Sequence, residues 1–212
     1  LVLGQNGSGK SVWATSIARS WAQGSVVIFD PKGDDAEAVI PNLATAYRAA
    51  DVVRHLPGRV LYRPTLAEYS RRPGDPSNRP AIWSRWDEIM RKLYELARRG
   101  QRPALVIVHE LATLSTATAI GPAFGQAIRE GRSKGITLIL ITQRPQGTSM
   151  LARSEAQHVV VYTLTDQAAR DVAAELVADV DDPELAEFVR RRALPLDHRW
   201  WYRGRDLHLR LH

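Results

Sequence analysis

The chain opens with Leu1-Val2-Leu3-Gly4-Gln5-Asn6-Gly7-Ser8-Gly9-Lys10-Ser11, a short apolar run followed by the pattern G-x-x-x-x-G-K-S. This pattern is typical of a loop that binds phosphate between a buried strand and a helix. Glycines let the backbone turn so that its N–H groups point at phosphate oxygens. We expect Lys10 to contact the β- and γ-phosphates of ATP, and Ser11 to contact Mg²⁺. The predicted nucleotide-binding residues are Gly4, Gln5, Asn6, Gly7, Ser8, Gly9, Lys10 and Ser11. The alternative is a glycine-rich turn that binds no nucleotide, and the strand-then-helix context argues against it.

Length and composition limit the possible classes of protein. A chain of 212 residues suits one α/β domain with a sizeable core, and we predict one domain over residues 1–212. The chain has no cysteine, which excludes disulfides and thiolate metal sites. No apolar run approaches the roughly 18 residues of a membrane span, and no signal peptide is visible. The first residue is not Met, which leaves an N-terminal extension open.

The chain is basic, with a formal charge of +6 and only four lysines, at positions 10, 32, 92 and 134, so that most basic residues are arginine. Arginine binds phosphate through two parallel hydrogen bonds, so a polyanionic partner suits this composition. A genome that favours arginine codons explains the same bias. The charge therefore supports a nucleic-acid partner without establishing one.

Buried strands and helices alternate along the chain. Apolar runs predict strands at 1–3, 25–29, 59–62, 104–108, 136–142 and 159–164. Apolar spacing and end signals predict helices at 10–22, 43–56, 81–99, 121–134, 166–178 and 183–192, with Asp166 as an N-cap. Residues 63–80 hold many prolines and arginines and predict a surface loop, and residues 200–203 and 207–211 predict a closing β-hairpin. This order predicts an α/β fold, with a mainly parallel central sheet and helices on both faces.

An acidic signal follows the apolar run at 104–108, which leads into His109 and Glu110. A carboxylate at the carboxyl end of a parallel strand can activate a water molecule beside a bound nucleotide, and we predict this role for Glu110. Such a glutamate usually follows an aspartate that helps to hold Mg²⁺, and His109 replaces it here. We predict a Mg²⁺ site made by Ser11 with help from His109, through a metal-bound water, or from Asp30 on the neighbouring strand. The alternative is that Glu110 only caps the next helix.

Gln143 ends the predicted strand at 136–142 and precedes Arg144 and Pro145. If that strand lies between those that carry the phosphate loop and Glu110, its terminal amide can sense the γ-phosphate or orient the attacking water. The alternative is a turn residue that only leads into Pro145.

Two arginines end the helix before that strand, in the run Arg129-Glu130-Gly131-Arg132-Ser133-Lys134-Gly135. An arginine supplied by a neighbouring subunit can neutralise the charge of a phosphoryl-transfer transition state. We predict this role for Arg132 first and for Arg129 second. The alternative is a basic helix end favoured by the helix dipole.

These segments together resemble the FtsK–HerA superfamily of DNA-pumping P-loop ATPases. The resemblance rests on residues 4–11, on Asp30-Pro31-Lys32-Gly33-Asp34, on the strand that ends at Glu110, and on residues 130–136 running into Thr142-Gln143-Arg144-Pro145. Residues 159–170 also look like the family's strand and acid-started helix, whereas residues 60–100 carry no match. The resemblance implies a RecA-like (ASCE) P-loop NTPase fold, ATP hydrolysis with Mg²⁺, and a homo-oligomeric, usually hexameric ring. It also implies double-stranded DNA in the ring's pore, bound without sequence specificity.

The compact chain looks most like the genome-packaging ATPases of membrane-containing icosahedral viruses, which drive double-stranded DNA into a preformed capsid. That reading implies a capsid or membrane-vertex protein as partner, and a location in the host cytoplasm or at the virion vertex. The first alternative is a cytoplasmic cellular or plasmid DNA translocase, or a conjugation motor core. A P-loop enzyme acting on a small molecule and a non-hydrolysing nucleotide-dependent scaffold also remain open, the latter because of His109.

Overall fold

The computed structural model describes residues 1–33, 40–70, 80–100, 103–177, 200–203 and 209–211. Nine strands of these residues form one sheet, in the order β3-β4-β2-β5-β6-β1-β7-β8-β9. The strands are β1 (Val2–Leu3), β2 (Ser25–Phe29), β3 (Ala44–Ala46), β4 (Arg59–Tyr62), β5 (Ala104–Val108), β6 (Ile136–Thr142), β7 (Val159–Tyr162), β8 (Trp200–Arg203) and β9 (Leu209–Leu211). The helices are α1 (Lys10–Ser20), α2 (Ala49–His55), α3 (Leu66–Tyr69), α4 (Ala81–Arg98), α5 (Pro122–Glu130), α6 (Met150–Ser154) and α7 (Gln167–Val177).

The first seven strands in this order are parallel, and β8 and β9 continue the sheet as an antiparallel hairpin beside β7. The predicted α/β class, with a mainly parallel sheet and a C-terminal hairpin, is confirmed. Parallel strands place all their carboxyl ends along one edge of the sheet. The segments that follow β1, β2, β5, β6 and β7 therefore lie along one edge.

Both faces of the sheet are covered by helices, which explains why the central strands are apolar throughout. Alternate residues of β2 point to opposite faces, so that Val26 and Ile28 pack with α1 while Val27 and Phe29 pack with α2, α4 and α5. Trp86 of α4 lies at the centre of the second layer, with ring centroids 5.2 Å from Phe29 and 5.8 Å from Phe124. The apolar residues that recur at helical spacing along α4 are all buried: Ile82, Trp86, Ile89, Leu93 and Leu96.

The helix predicted at 43–56 is wrong in its first half. Residues 44–46 form edge strand β3, which pairs with β4 through Ala44 and Val60, and only residues 49–55 are helical. Alanines favour helix, but the open edge of β4 offers these residues backbone hydrogen bonds, and sheet pairing overrides the weak local preference. Helix α1 ends at Ser20 and not at residue 22, and its apolar residue Val12 is exposed.

The loop predicted at 63–80 contains the short helix α3, which carries a buried carboxylate. Glu68 accepts hydrogen bonds from the Tyr62 hydroxyl at 2.7 Å and the Ala49 amide at 2.9 Å, and it forms an ion pair with Arg85. Burial, and then the Glu68 carboxylate, raise the pKa of Tyr62. The buried Glu68 carboxylate thus has both hydrogen-bond donors and an ion-pair partner, as a buried charge requires. These contacts fix α3 to β4 and α4. Residues 71–79 and the whole helix predicted at 183–192 lie outside the described residues.

Within the described residues no helix is both long enough and apolar enough to cross a bilayer.

Candidate nucleotide-binding site

Residues 4–11, which we call the phosphate loop, connect β1 to the start of α1. The loop has the backbone conformation that its glycines predict. Gly7 and Gly9 have φ values of 75° and 94°, a region that other residues adopt at a cost. Gly4 lies against β7, because a Cβ atom there would stand 2.6 Å from the Tyr162 Cβ and 2.8 Å from the Ser8 Oγ. The loop is tied to both neighbouring strands, since the Gly4 amide donates to the Thr142 carbonyl and the Gln5 amide donates to the Thr163 carbonyl, at 3.4 and 3.0 Å.

Gly4→Ala is expected to destabilise the fold by about 1–3 kcal/mol, because the added methyl group overlaps the backbone-anchored Cβ of Tyr162. Urea unfolding monitored by circular dichroism measures this change. Gly147→Ala is the matched control, since no atom lies within 4 Å of the Cβ it would add. Equal unfolding midpoints for both variants would contradict the tight packing of the loop.

Lys10 is buried at the start of α1, and its amino group turns back to the loop, donating to the Gln5 carbonyl and to the Ser8 hydroxyl. Burial lowers the pKa of Lys10 to about 8, although the Glu110 carboxylate raises it and Lys32 lowers it further. The two side chains therefore contribute to the electrostatic potential at the phosphate loop. A buried ammonium at a helix start is suited to an anionic ligand, which restores the charged form of the amine.

Ser11 and His109 come together although 98 positions separate them, with the Ser11 Oγ 3.1 Å from the His109 Nδ1. The contact joins the first turn of α1 to the end of β5. Mg²⁺ is commonly held by one or two protein oxygens together with substrate phosphates, so a hydroxyl beside a nucleotide loop suits it. Imidazole suits Mg²⁺ poorly as a direct ligand, whereas it can accept a hydrogen bond from the Ser11 hydroxyl group. In the described residues no group of three or more His, Cys, Asp or Glu side chains could hold a metal.

Glu110 follows His109 directly and lies at the same edge. It is the N-cap residue of a 3-10 turn at Leu111–Thr113, but its side chain makes no capping hydrogen bond. The carboxylate instead forms an ion pair with Lys32, with 3.1 Å between Oε2 and Nζ. The capping alternative for this side chain therefore finds no support in its contacts.

Asp30, predicted as a second metal residue, has other contacts. It is buried at the end of β2, where it accepts a hydrogen bond from the Gly33 amide at 3.0 Å and forms an ion pair with the Arg63 Nε at 3.2 Å. These bonds fix the turn that follows β2. They give Asp30 a structural role that the sequence pattern does not reveal.

Strand β6 lies between β5 and β1, as the prediction for Gln143 requires. Gln143 is half-buried between Thr142 and the 3-10 turn Pro145–Gly147. The Thr142 hydroxyl accepts hydrogen bonds from the Arg144 amide and from the Thr148 hydroxyl, both at 3.2 Å, which hold the chain after β6 in place. The Gln143 amide is thus carried on a fixed turn beside the phosphate loop.

A cleft of about 520 Å³ opens beside the phosphate loop. It is lined by Gln5, Asn6, Gln143, Arg144, Gln146, Leu164, Thr165, Asp166 and Ala169. Its floor is braced by Asp166, which caps α7 through the Ala169 amide at 3.2 Å and accepts from the Gln146 side chain at 2.9 Å. The N-cap predicted at Asp166 is confirmed. The size and polar lining suit a small polar ligand.

Arg129 and Arg132 lie at the opposite edge of the sheet. Arg129 is in the last turn of α5, and Arg132 lies in a 3-10 turn, Gly131–Lys134, just before β6. Arg132 lines a second cleft of about 320 Å³ together with Leu1, Ile136 and His158, which mark the amino ends of β1, β6 and β7. The structure does not bring either arginine to the phosphate loop of its own chain.

Several solved structures share this architecture over nearly the whole chain. The genome-packaging NTPase B204 from Sulfolobus turreted icosahedral virus 2, in complex with AMPPCP, aligns with a TM-score of 0.68 and 15% identity over 100% of this chain and 94% of its own. EssC (ATPases 2 and 3) from Geobacillus thermodenitrificans gives 0.60 and 15%, over 95% of this chain and 36% of EssC. The conjugation coupling protein TcpA of pCW3, with ATPγS, gives 0.53 and 14%, over 95% of this chain and 56% of TcpA.

This chain has the fold of these P-loop ATPases. Neither the comparison with protein-family models nor that with curated proteins finds a match. The structural neighbours therefore confirm the P-loop NTPase fold, and the first of them confirms the resemblance to the viral packaging ATPases at the level of fold.

Proposed function

We propose that this chain is an ATPase motor that moves double-stranded DNA, and that its DNA is a viral genome entering a preformed capsid. The observation that carries the proposal is the meeting of the phosphate loop, Glu110 and Gln143 at the carboxyl edge of three adjacent strands, β1, β6 and β5. Support also comes from the neighbour that shares the fold over 94% of its own length and whose name is that of a genome-packaging NTPase. A cellular or plasmid translocase is the second candidate, favoured by the fold shared with the coupling protein TcpA. We propose that residues 1–212 act as one motor domain, because their described strands form one sheet.

In this proposal residues 4–11 bind the triphosphate of ATP through backbone N–H groups, and the Lys10 ammonium contacts the β- and γ-phosphates. Ser11 would hold Mg²⁺ through its hydroxyl oxygen, while the hydroxyl group donates a hydrogen bond to the His109 Nδ1, which lies 3.1 Å away. When bound, Mg²⁺ would neutralise charge on the β- and γ-phosphates. We assign Asp30 to the turn after β2 and not to the metal, because its carboxylate is already engaged by Gly33 and Arg63.

Glu110 acts as the general base that takes a proton from the attacking water. Gln143 hydrogen-bonds the γ-phosphate or that water, from the strand between Glu110 and the loop. The cleft beside Gln5 and Gln143 offers space for the nucleoside part of ATP. Bond cleavage then changes what Gln143 contacts, and its turn is tied to α7 through Gln146 and Asp166. The change at the γ-phosphate thereby reaches a second element of the fold.

The position of Arg132 at the far edge of the sheet supports a ring as part of this proposal. We propose a homo-oligomeric ring, hexameric as in the superfamily, in which Arg132 of one subunit reaches the nucleotide of its neighbour. DNA runs through the pore and is held by its phosphates, which gives sequence-tolerant, salt-sensitive binding. We propose residues 63–80 and 144–153 as the loops that contact DNA in the pore. Of their arginines, Arg144 is exposed, whereas Arg63 is engaged by Asp30. A capsid or membrane-vertex protein would position the motor at the virion vertex, with the free protein in the host cytoplasm.

ATP turnover by the protein is expected to rise severalfold on addition of long double-stranded DNA at low salt, and to rise steeply with protein concentration. Shared sites form only in the ring, and the DNA contacts are electrostatic. Phosphate release measured against DNA, salt and protein concentration tests this. Displacement of a third strand from a DNA triplex, which needs movement along the duplex, distinguishes translocation from simple stimulation.

The other classes give different results in the same measurement. Robust turnover that ignores both DNA and protein concentration would overturn the motor and favour a P-loop enzyme with a small-molecule acceptor. Binding of ATP without turnover under every condition, DNA included, would favour a nucleotide-dependent scaffold. DNA-stimulated turnover without triplex displacement would contradict only the proposed movement along DNA, and the DNA-stimulated ATPase would stand.

A further inference from the structure

A groove of about 280 Å³ lies between α4 and α5, and the proposed mechanism does not use it. It is lined by Arg91, Tyr94, Glu95, Arg98, Ala123 and Gln126. Helices α4 and α5 cover one face of the sheet, and α1, which begins at the phosphate loop, covers the other. The groove is therefore separated from α1 by the sheet.

Arg91 and Arg98 are the cations of the groove. Seven positions are close to two helical turns, so both lie on one face of α4, about 10 Å apart along the helix axis. Both residues are exposed. In the part of the chain that the structure describes, neither guanidinium group has an ion-pair partner. Each is therefore available to an anion from outside the chain.

The carboxylates near the groove do not cancel this charge. Glu95 lies between the two arginines, but it forms ion pairs with Lys92, at 3.2 Å, and with Arg99. Lys92, and then Arg99, hold the pKa of Glu95 below its usual range. At the end of α5, Glu130 follows Arg129, which has the opposite charge. The two arginines of the groove thus leave a net positive charge, which attracts anionic groups.

The buried lining of the groove is fixed in place. The Tyr94 ring is buried, and its hydroxyl donates a hydrogen bond to the Gln126 carbonyl at 3.0 Å, which joins α4 to α5. Ala123, with a single methyl group, leaves room beside the ring. A carboxylate that enters here loses part of its water, and its pairing with a guanidinium group is stronger for that reason.

The width of the groove decides between two kinds of polyanion. The axes of packed helices lie about 8–10 Å apart, so a groove between them admits a side chain or an extended peptide and not a DNA duplex. A carboxylate can accept two parallel hydrogen bonds from one arginine. The loops proposed to contact DNA follow β4 and β6 at the carboxyl edge, whereas Arg98 lies in the last turn of α4, which leads to the amino end of β5.

We propose that Arg91 and Arg98 form a docking site for an acidic segment of a partner protein, whose carboxylates pair with the two guanidinium groups. The inference goes beyond the proposed function, because this binding needs neither ATP nor turnover. The position of the groove, on the face of the sheet opposite to α1, leaves the nucleotide site open while the partner is bound.

Fluorescence anisotropy with a fluorescein-labelled glutamate decapeptide, at pH 7 and low salt, tests the site in the full chain. Arg91→Gln combined with Arg98→Gln is expected to weaken peptide binding by about tenfold, because two charge-assisted pairs are lost. The matched control is Arg48→Gln combined with Arg54→Gln, which removes the same charge from two arginines that both pair with Asp51. It should change the affinity by less than about twofold, since distant charges are screened.

Glu95→Gln should act in the opposite direction. It removes the carboxylate of the groove and frees Lys92 and Arg99, so that peptide binding tightens by about two- to fivefold. A loss of folding does not produce a gain of affinity, so this variant tests the site independently of the double variant. No gain in Glu95→Gln would contradict the proposal.

The remaining outcomes separate the groove from general electrostatics and from DNA. Equal weakening in the two double variants, or no peptide binding by the wild type, would overturn the docking site. A short DNA duplex in the same assay should bind to the wild type and to the variant without Arg91 and Arg98 alike. A loss for the duplex as large as that for the peptide would assign the groove to nucleic acid and overturn the acidic partner. Absence of ATP turnover would contradict the proposed function and leave the peptide result unaffected.

Discussion

Glu110→Gln is expected to lower ATP turnover by about 10²–10⁴-fold while ATP still binds, because glutamine keeps the shape of the side chain but cannot take a proton from water. The change replaces no residue of the phosphate loop, although it removes a negative charge that raises the pKa of Lys10. Steady-state phosphate release measures turnover, and calorimetric titration with a non-hydrolysable ATP analogue measures binding. The expected signature is a collapse of kcat with a dissociation constant close to that of the wild type.

Glu95→Gln controls for the loss of a lysine-paired glutamate in general, because Glu95 pairs with Lys92 at 3.2 Å on α4. It should retain full turnover. Retention of more than a tenth of wild-type turnover in Glu110→Gln would mean that Glu110 is not the base. Loss of analogue binding together with turnover would mean that the carboxylate supports the loop and not the chemistry.

The central part of the fold was predictable because each piece carries its own local signal. The apolar runs of β2, β5 and β6 are continuous, and the glycines of residues 4–11 have one structural use at that spacing. The sequence predicts that polar residues end these strands, and parallel pairing then brings them to one edge. The prediction that Gln143 lies between the phosphate loop and Glu110 depended on strand order, and the order β5-β6-β1 confirms it.

What sequence reasoning missed depends on contacts between distant residues. The sequence predicts helix for edge strand β3, because its alanines give no strand signal and only the open edge of β4 makes it a strand. The resemblance included Lys32 in Asp30-Pro31-Lys32-Gly33-Asp34, but no spacing shows that its amino group meets Glu110, 78 positions later. The contacts of Asp30 with Arg63 are equally long-range. The sequence predicts that the two arginines precede β6, and the structure confirms this position. Only the fold shows that they lie at the edge of the sheet away from the phosphate loop.

Because of that position, replacement of Arg132 is expected to cause a large loss of ATP turnover. Arg132 precedes β6, and Gln143 follows it. Seven strand residues at about 3.3 Å each separate the two edges by about 20 Å, which an arginine side chain does not span. If Arg132 acts on a nucleotide, as we propose, that nucleotide is therefore bound by another subunit. Arg132→Ala is expected to lower turnover by about 10³–10⁵-fold, the range measured for arginines supplied to such transition states.

Mixing two inactive variants tests whether Arg132 acts in trans. A subunit with Arg132→Ala keeps Glu110, and a subunit with Glu110→Gln keeps Arg132. In a mixed ring, an interface is complete where the first variant supplies the phosphate loop with Glu110 and the second variant supplies Arg132. Random mixing of equal amounts makes about a quarter of the interfaces complete. Turnover should therefore reappear on mixing, well above that of either variant alone. The single-variant preparations, each mixed with itself and treated identically, supply the baseline.

Arg129→Ala separates the two candidate arginines. Arg129 lies in the last turn of α5, three positions before Arg132, and shares its basic surroundings, so that a general loss of positive charge at this edge would affect both variants alike. A large loss in Arg132→Ala with a small loss in Arg129→Ala assigns the role to Arg132, and the reverse assigns it to Arg129. If mixed rings stay inactive although size-exclusion chromatography shows that they form, the arginine does not act across the interface. That outcome would contradict a site shared between subunits. It would also leave Arg132 without a role at the nucleotide, because Arg132 does not reach the phosphate loop of its own chain.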